Sequence, residues 1–343
     1  MQGHIIKKIS EVDKNELLAF YKLVFKDRYK ILSENLEWWY RLKQTKSEPI
    51  ILTLDQKIIG QLGTIPTKIS NNDQIIKAVW YVDYVILPEF YGKGGGSLLV
   101  DAGTKNSEVQ IAFCNEAALK VYKKFNWNIN KSMQRFCRPM NPIKWIPLVN
   151  RSETKVIKNF YNFFINKHLK NTENINSFSL EKNLSKITDS FSKRKIDKLP
   201  GLNIIHDEEW FNWRFIEFPF RKNLRFFEFD GNFLIAHSVR IDGVNRLNII
   251  FSFYLENSKE VIMYYQVTKW CIENNYDLIW SCSMNKELIK NLSKLFPKYF
   301  LKTIVIATHS NNENIRNSLK KNLNNIYPSD SDIDINCLQN HSF

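Results

Sequence analysis

Tyr91-Gly92-Lys93-Gly94-Gly95-Gly96-Ser97 is the stretch that decides how this chain is read. It follows the apolar run Tyr81–Leu87 and precedes Leu98-Leu99-Val100, the order of a strand, a glycine loop and a helix start. Glycine at 92, 94, 95 and 96 removes Cβ atoms, so backbone N–H groups can converge on one concavity. A helix beginning there adds unpaired N–H groups and the positive end of its dipole. Surface turns also collect glycine, but a loop placed between a strand and a helix suits a phosphate or pyrophosphate.

A second apolar run, Val109–Phe113, leads into Asn115-Glu116-Ala117-Ala118-Leu119-Lys120-Val121-Tyr122-Lys123-Lys124-Phe125-Asn126-Trp127. At these two motifs the chain resembles the GNAT superfamily of acyl-coenzyme A-dependent acyltransferases. That family shows a Gln/Arg-x-x-Gly-x-Gly/Ala loop after its fourth strand and an Asn-x-x-Ala-x-x-x-Tyr helix after its fifth. Both stand here in that order. Tyr91 replaces the usual Gln or Arg, Gly95 an aliphatic residue, and Asn126-Trp127 the usual Gly-Phe. Main-chain amides form the cradle, so these departures leave it intact. The Gly-Lys-Ser/Thr ending of a nucleoside triphosphatase loop is missing, as is the early βαβ unit of a dinucleotide fold.

The resemblance implies that Gly92, Lys93, Gly94, Gly95, Gly96 and Ser97 hold the pyrophosphate of acetyl-coenzyme A or another acyl-coenzyme A. It implies that Val85, Ile86 and Leu87, on a strand splayed from 109–113, pair with the pantetheine arm, the amide of Val85 or Ile86 facing the thioester oxygen. Tyr122 matches the tyrosine proposed to protonate the departing thiolate, and an ordinary phenol pKa of about 10 keeps it protonated. Asn115 matches a pantetheine contact, or equally caps its own helix. Asp83, a carboxylate inside Tyr81-Val82-Asp83-Tyr84-Val85, is the base candidate unless strand alternation turns it to solvent. Trp38, Trp39 and Tyr81 are the expected acceptor-side residues. The tryptophans, with Trp210 and Trp213, equally suit core and interface packing.

A length of 343 residues suits two domains. The net charge of +14 serves solubility or attracts an anionic partner, whether coenzyme A, a nucleotide sugar, RNA or an anionic membrane, and charge alone does not choose among them. Five dispersed cysteines without Cys-x-x-Cys, and six scattered histidines, give neither a disulfide scaffold nor a metal site. The start Met1-Gln2-Gly3-His4 lacks the pattern of a signal peptide, and no apolar run is long enough to span a bilayer, so a cytoplasmic chain is expected.

The expected organisation is a catalytic GNAT domain over 1–147, a linker over 148–200, and a degenerate GNAT-like domain over 201–343. In the first segment, helices are read over Val12–Phe25 and Ser33–Lys43, and strands over Ile50–Leu54, Lys57–Ile65 and Ile75–Leu87. Next come a short helix Ser97–Thr104, strand Val109–Phe113, helix Asn115–Phe125 and a strand near Gln134–Arg138, with prolines at 139, 142 and 147 closing the set. The linker carries Val156, Phe160, Phe163, Phe164 and Ile165 among Lys155, Lys158, Lys167 and Lys170. Such a helix over 154–170 either packs across a domain interface or lies on a membrane surface.

Trp38-Trp39-Tyr40-Arg41-Leu42 resembles Phe211-Asn212-Trp213-Arg214-Phe215, and each precedes a strand, an Asp-containing turn and another strand. Strands Leu224–Phe229, Phe233–Ile241, Arg246–Tyr254, Leu278–Cys282 and Thr303–Thr308, with helices Lys259–Glu273 and Lys286–Phe296, complete the second set. Leu255-Glu256-Asn257-Ser258 stands where the glycine cradle would recur, and its carboxylate would repel pyrophosphate. The fold class is therefore α/β with two GNAT-like domains, each a twisted mixed sheet flanked by helices. The expected function is transfer of a short acyl group from acyl-coenzyme A to a primary amine. Phe136-Cys137-Arg138-Pro139-Met140-Asn141-Pro142 resembles the ends of GNAT proteins of bacterial surface-polysaccharide pathways, and that resemblance implies an amino sugar, free or nucleotide-linked, as the acceptor. The alternatives are a tandem-GNAT peptidyltransferase using aminoacyl-tRNA and a non-catalytic acyl-coenzyme A-binding module; nucleic acid is not the expected partner.

Overall fold

The computed structural model describes residues 3–43, 48–71, 74–141, 154–169, 172–179, 201–241, 243–254, 257–294, 300–321 and 323–331. The sequence also reads as a turn at Asn71-Asn72-Asp73 and as loop-like over 171–198. Asn72-Asp73, Pro142, Pro147, Leu255-Glu256 and 180–198 lie outside the described residues, while Asn176–Ser179 forms a strand where a loop is expected.

Alternating apolar residues build an antiparallel ladder of β1 (His4–Lys8), β2 (Ile50–Leu54), β3 (Lys57–Asn71) and β4 (Gln74–Ile86). Asp55 and Gln56, with φ of +48° and +67°, make the tight hairpin turn between β2 and β3. Against β3 lies α1 (Lys14–Phe25), whose first turn is closed by the Asp13 carboxylate accepting from the Asn15 and Glu16 amides. The single helix expected over 33–43 is instead α2 (Tyr29–Glu34) and α3 (Leu36–Trp39), followed by Arg41 at φ +53°. Trp39 and Tyr40 both donate to the buried Asp83. Consecutive residues on a continuous helix point about 100° apart, so the chain leaves the helix there. α4 (Gly95–Gly103), β5 (Val109–Cys114), α5 (Glu116–Lys124) and β6 (Asn128–Pro139) complete the first half.

The second half runs through α6 (Thr154–Leu169), β7 (Asn176–Ser179), β8 (Leu202–Ile204), α7 (Glu208–Phe211, continued by a wider turn through Ile216), β9 (Leu224–Phe229), β10 (Asn232–Ile241) and β11 (Val244–Phe253). Then follow α8 (Asn257–Glu273), β12 (Leu278–Ser283), α9 (Lys286–Lys294), β13 (Phe300–His309), α10 (Glu313–Lys321) and β14 (Leu323–Asn324).

The two halves do not form separate sheets. One sheet runs in the order β1-β2-β3-β4-β5-β13-β6-β12-β11-β10-β9-β7. The order is a palindrome: β4 and β5 are parallel, as are β11 and β12, while the other neighbours are antiparallel. Its centre is an exchange. β13 of the second half pairs with β5 of the first, and β6 of the first pairs with β12 of the second. Each half thereby covers an edge of the other that would otherwise present unpaired N–H and C=O groups. β8 also pairs with the far end of β3, Ile69 opposite Ile204.

The two repeated aromatic-Arg segments meet across this join. The Trp38 indole N–H donates to the Trp213 carbonyl at 2.8 Å, and the Trp213 indole N–H donates to the Trp38 carbonyl at 2.7 Å. The Arg41 guanidinium lies 5.0 Å from the Trp213 ring centre, and that of Arg214 lies 5.5 Å from the Trp38 ring centre. Arg41 also pairs with Glu209 at 2.7 Å, and Lys68 reaches both Asp207 and Glu209. Of the two readings of these tryptophans, interface packing accounts for Trp213 and for most of Trp38.

Candidate active site

β4 and β5 pair only as far as Tyr81 opposite Ala112; β4 continues to Ile86 and β5 to Cys114 without further partners between them. The cause is local. The β3–β4 register shifts between Gln61 and Gly63, and Asp83 takes a left-handed φ of +49°, so β4 bends away. The result is a wedge-shaped gap between two parallel strands.

Alternation sets which amides face it. The Leu87 amide donates to the Ile59 carbonyl at 2.8 Å, and the Leu87 carbonyl accepts from the Phe90 amide at 2.9 Å. Successive strand amides point to opposite edges, so Val85 also faces β3, whereas Ile86 and Tyr84 face the gap. Of the three expected pantetheine contacts, Ile86 presents a gap-facing amide; Leu87 has both backbone groups engaged elsewhere, which corrects the expectation for that residue.

The cradle stands at the wide end of the gap. Gly92 and Gly94 have φ of +76° and +85°, a conformation that side chains rarely adopt. Gly94 is the N-cap of α4 and supplies no side-chain acceptor, so the first-turn amides of Gly95, Gly96 and Ser97 have no intrahelical partner. Space around Gly92 is open, and Lys93 is exposed, its ammonium 5.2 Å from the Phe90 ring centre. Gly95 and Gly96 have a second reason to be glycine. A Cβ on Gly95 would stand 2.9 Å from Leu52, and one on Gly96 would stand 2.3 Å from the Tyr84 hydroxyl.

Tyr84 was not singled out by the sequence. Its ring lies 6.1 Å from that of Tyr122, which stacks at 4.2 Å on Trp127, which in turn stacks at 5.5 Å on His309. Burial holds the Tyr84 phenol above its ordinary pKa, so it stays protonated, and holds His309 below its own, favouring the neutral ring. Tyr122 is wholly buried in this ladder. His309 belongs to β13, far along the sequence, and only the strand exchange brings it here. Asn115 caps α5 by accepting from the Ala118 amide at 2.9 Å, the second of its two sequence readings.

Asp83 turns to the opposite face of the sheet, and its side chain is fully enclosed. One oxygen lies 2.7 Å from the Arg28 guanidinium; the other accepts from the Trp39 indole at 2.8 Å and the Tyr40 hydroxyl at 2.9 Å. Tyr40 accepts from Gln61, which accepts from Tyr21. A carboxylate with three donors and no solvent access is poorly placed to take a proton, so the expectation of a free base at Asp83 is corrected to that of an anchor for α2 and α3. Trp39 is committed to the same anchor. Tyr81 is buried under α4, where a Cβ on Gly103 would stand 2.4 Å from its hydroxyl, so it does not border an open acceptor site. Trp38 lines a groove of about 790 Å³ between the halves, and Trp38 and Trp39 together border a small pocket beside Arg28 and Phe220.

The second half parts its strands in the same way: β11 and β12 pair only as far as Asn248 opposite Trp280. Here the gap holds Glu260, from the first turn of α8. Its carboxyl accepts from Asn285 at 2.7 Å and from Ser252 and Ser283 at 3.4 and 3.5 Å, with Tyr254 as a further partner. Ser252 comes from β11 and Ser283 from β12, so Glu260 bridges the parted strands. Burial pushes its pKa up to about 7. A buried acid in the gap joins the missing glycines as an obstacle to pyrophosphate in this half.

No family model and no curated protein matches the sequence. Solved structures match the fold. A GCN5-related N-acetyltransferase from Kribbella flavida aligns with a TM-score of 0.56 at 9% identity, over 90% of this chain and 71% of that one. A protein from Enterococcus faecalis V583 described as a probable N-acyltransferase gives 0.55 at 12%, over 90% and 72%. N-myristoyltransferase of Saccharomyces cerevisiae, solved with bound myristoyl-CoA, gives 0.52 at 11%, over 90% and 80%. The chain has the GNAT fold in tandem form.

Proposed function

We propose that this chain is an acyl-coenzyme A-dependent N-acyltransferase whose first half carries the reaction. The observation that supports it most is a coincidence of two features within the same few residues: an open cradle of amides at the start of α4, and strands that part beside it. The residues present suit the diphosphate, since Gly92 and Gly94 hold left-handed backbone with open space at Gly92. A bound thioester supplies an activated acyl group, which needs an oxyanion donor and a proton for the thiolate. Amides of Gly94 to Ser97 bind the diphosphate, the Ile86 amide orients the pantetheine arm, and the Tyr84–Tyr122 pair supplies a protonated phenol to the gap. Trp127, backed on its own ring by His309, fixes the tilt of Tyr122 by stacking on it.

The acceptor enters from the groove between the halves. Glu34, Glu37, Glu48 and Glu217 line it with Lys14, Arg41 and Lys43 beside Trp38 and Trp213; Lys43 is held by Glu37 at 2.6 Å and Arg41 by Glu209 at 2.7 Å. Such a lining in a chain of net charge +14 suits an ammonium-bearing acceptor. It suits a free amino sugar or another primary amine better than a nucleotide-linked one, whose phosphates would face the carboxylates.

Thiol release from acetyl-coenzyme A and longer acyl-coenzyme A, against a panel of amines, tests this reading. Turnover with at least one pair is expected. Tyr122→Phe is then expected to lower kcat by roughly 100-fold, the scale of general-acid catalysis, with KM for the acyl donor unchanged. No thiol release with any pair would contradict the proposal.

A further inference from the structure

We infer that Arg135, Arg246 and Lys302 form an anion site, separate from the α4 cradle, for a diphosphate-bearing ligand at the join of the two halves. Register puts the three on one face of the sheet. Arg246 of β11 pairs with Leu278 of β12, Arg135 of β6 pairs with Cys282 of β12, and Lys302 of β13 pairs with Arg135. Paired residues share a face, and Trp280, Cys282 and Ile304 place this one over the core that spans both halves. Arg135 comes from the first half and the other two from the second, so only the strand exchange brings them together.

Charge and unmet hydrogen bonds point to an anion. Arg135 and Arg246 are half-buried and Lys302 is exposed, and among the described residues no acid pairs with any of them. The enclosed Nε of Arg246 has no hydrogen-bond partner. Both guanidinium groups act on one thiol, drawing the pKa of Cys137 down against the burial that pushes it up to about 12. Their fields therefore overlap, and like charges sharing a half-buried space cost stability unless an anion meets them. Asn248 pairs in register with Trp280, the β12 residue midway between Leu278 and Cys282. It is wholly buried, and neither atom of its carboxamide has a partner. Such a group is left for a ligand or its water. Leu278 and Cys282 stand about 13 Å apart along β12, a span that suits an elongated anion better than a single phosphate. Guanidinium groups take phosphate oxygens in bidentate pairs. This inference does not depend on the acyl-transfer reading.

Pyrophosphate is the probe, and the chain to titrate is Gly94→Glu, in which a carboxylate stands in the α4 cradle. Calorimetry is expected to show binding there, weakened at least about tenfold when Arg135→Gln and Arg246→Gln are added. The melting temperature is expected to stay equal or rise, since two unpaired charges are removed. On the parent chain, phenylglyoxal modification mapped by mass spectrometry reads the same contact without any substitution. Pyrophosphate is expected to protect Arg135 and Arg246, while the exposed Arg240, on the other face of the sheet, reacts unchanged. No binding to the Gly94→Glu chain, equal binding after the arginine substitutions, or no protection would overturn the inference. So would protection by succinate as strong as that by pyrophosphate, which would make the site one for carboxylates.

Discussion

Glu260 stands with its carboxyl enclosed between the parted strands of the second half, and its native pKa of about 7 lies above the usual 4.5. The folded state therefore binds more protons than the unfolded chain between those values. Its contribution is fully present below about pH 4.5 and is lost as pH rises through about 7. The difference amounts to roughly 3 kcal/mol. Glu260→Gln should flatten the melting-temperature profile over that range and raise stability at pH 8 relative to the parent; coincident profiles would remove Glu260 from the account. Asp83 is a carboxylate held by Arg28, Trp39 and Tyr40. Asp83→Asn leaves a buried guanidinium without its counter-charge and is expected to cost about 3–5 kcal/mol by chemical denaturation. Sequence reading found Asp83 because a carboxylate in an apolar strand is conspicuous. Its partners were not legible, since Arg28 carries no local signal and the left-handed φ that turns Asp83 away from the gap has no mark in composition.

The glycine loop and α4 form the element on which the functional reading turns. Most of it was legible: strand, glycines and helix come in the order expected, although α4 begins at Gly95 rather than Ser97. What sequence did not show is that Gly95 and Gly96 also let α4 press against β2 and Tyr84. Gly96→Ala puts a Cβ 2.3 Å from the Tyr84 hydroxyl, and that ring's next atom is 3.3 Å away. The substitution is expected to destabilise by about 1–3 kcal/mol, as overpacking does. Adding Tyr84→Phe removes the clashing oxygen and should restore most of the loss, a coupling that a double-mutant cycle reads directly. Additive effects would show that the helix start does not rest on Tyr84. The end of α3 at Trp39 escaped the sequence because apolar periodicity runs through 33–43 unchanged, while the two donors to Asp83, Trp39 and Tyr40, decide the backbone there.

At the scale of the molecule, the repeat of aromatic-Arg segments and strand order announced two related halves. The exchange of β6 and β13 was not visible, because alternation specifies which face of a strand is buried and not which strand lies beside it. The exchange means that neither half closes its own sheet. Residues 1–147 alone are expected to aggregate, with β5 lacking β13, whereas co-expression with 148–343 should give a soluble complex and full-length chain a single unfolding transition. A well-folded monomeric 1–147 fragment would contradict the exchanged arrangement.

Titration calorimetry of coenzyme A against pantetheine, with the parent chain and Gly94→Glu, examines the grip of the α4 amides on a diphosphate most directly. Coenzyme A is expected to bind the parent at least about 100-fold more tightly than pantetheine, which lacks the diphosphate, and Gly94→Glu should abolish that advantage at an unchanged fold. Equal binding of the two ligands, or coenzyme A binding untouched in Gly94→Glu, would contradict the account.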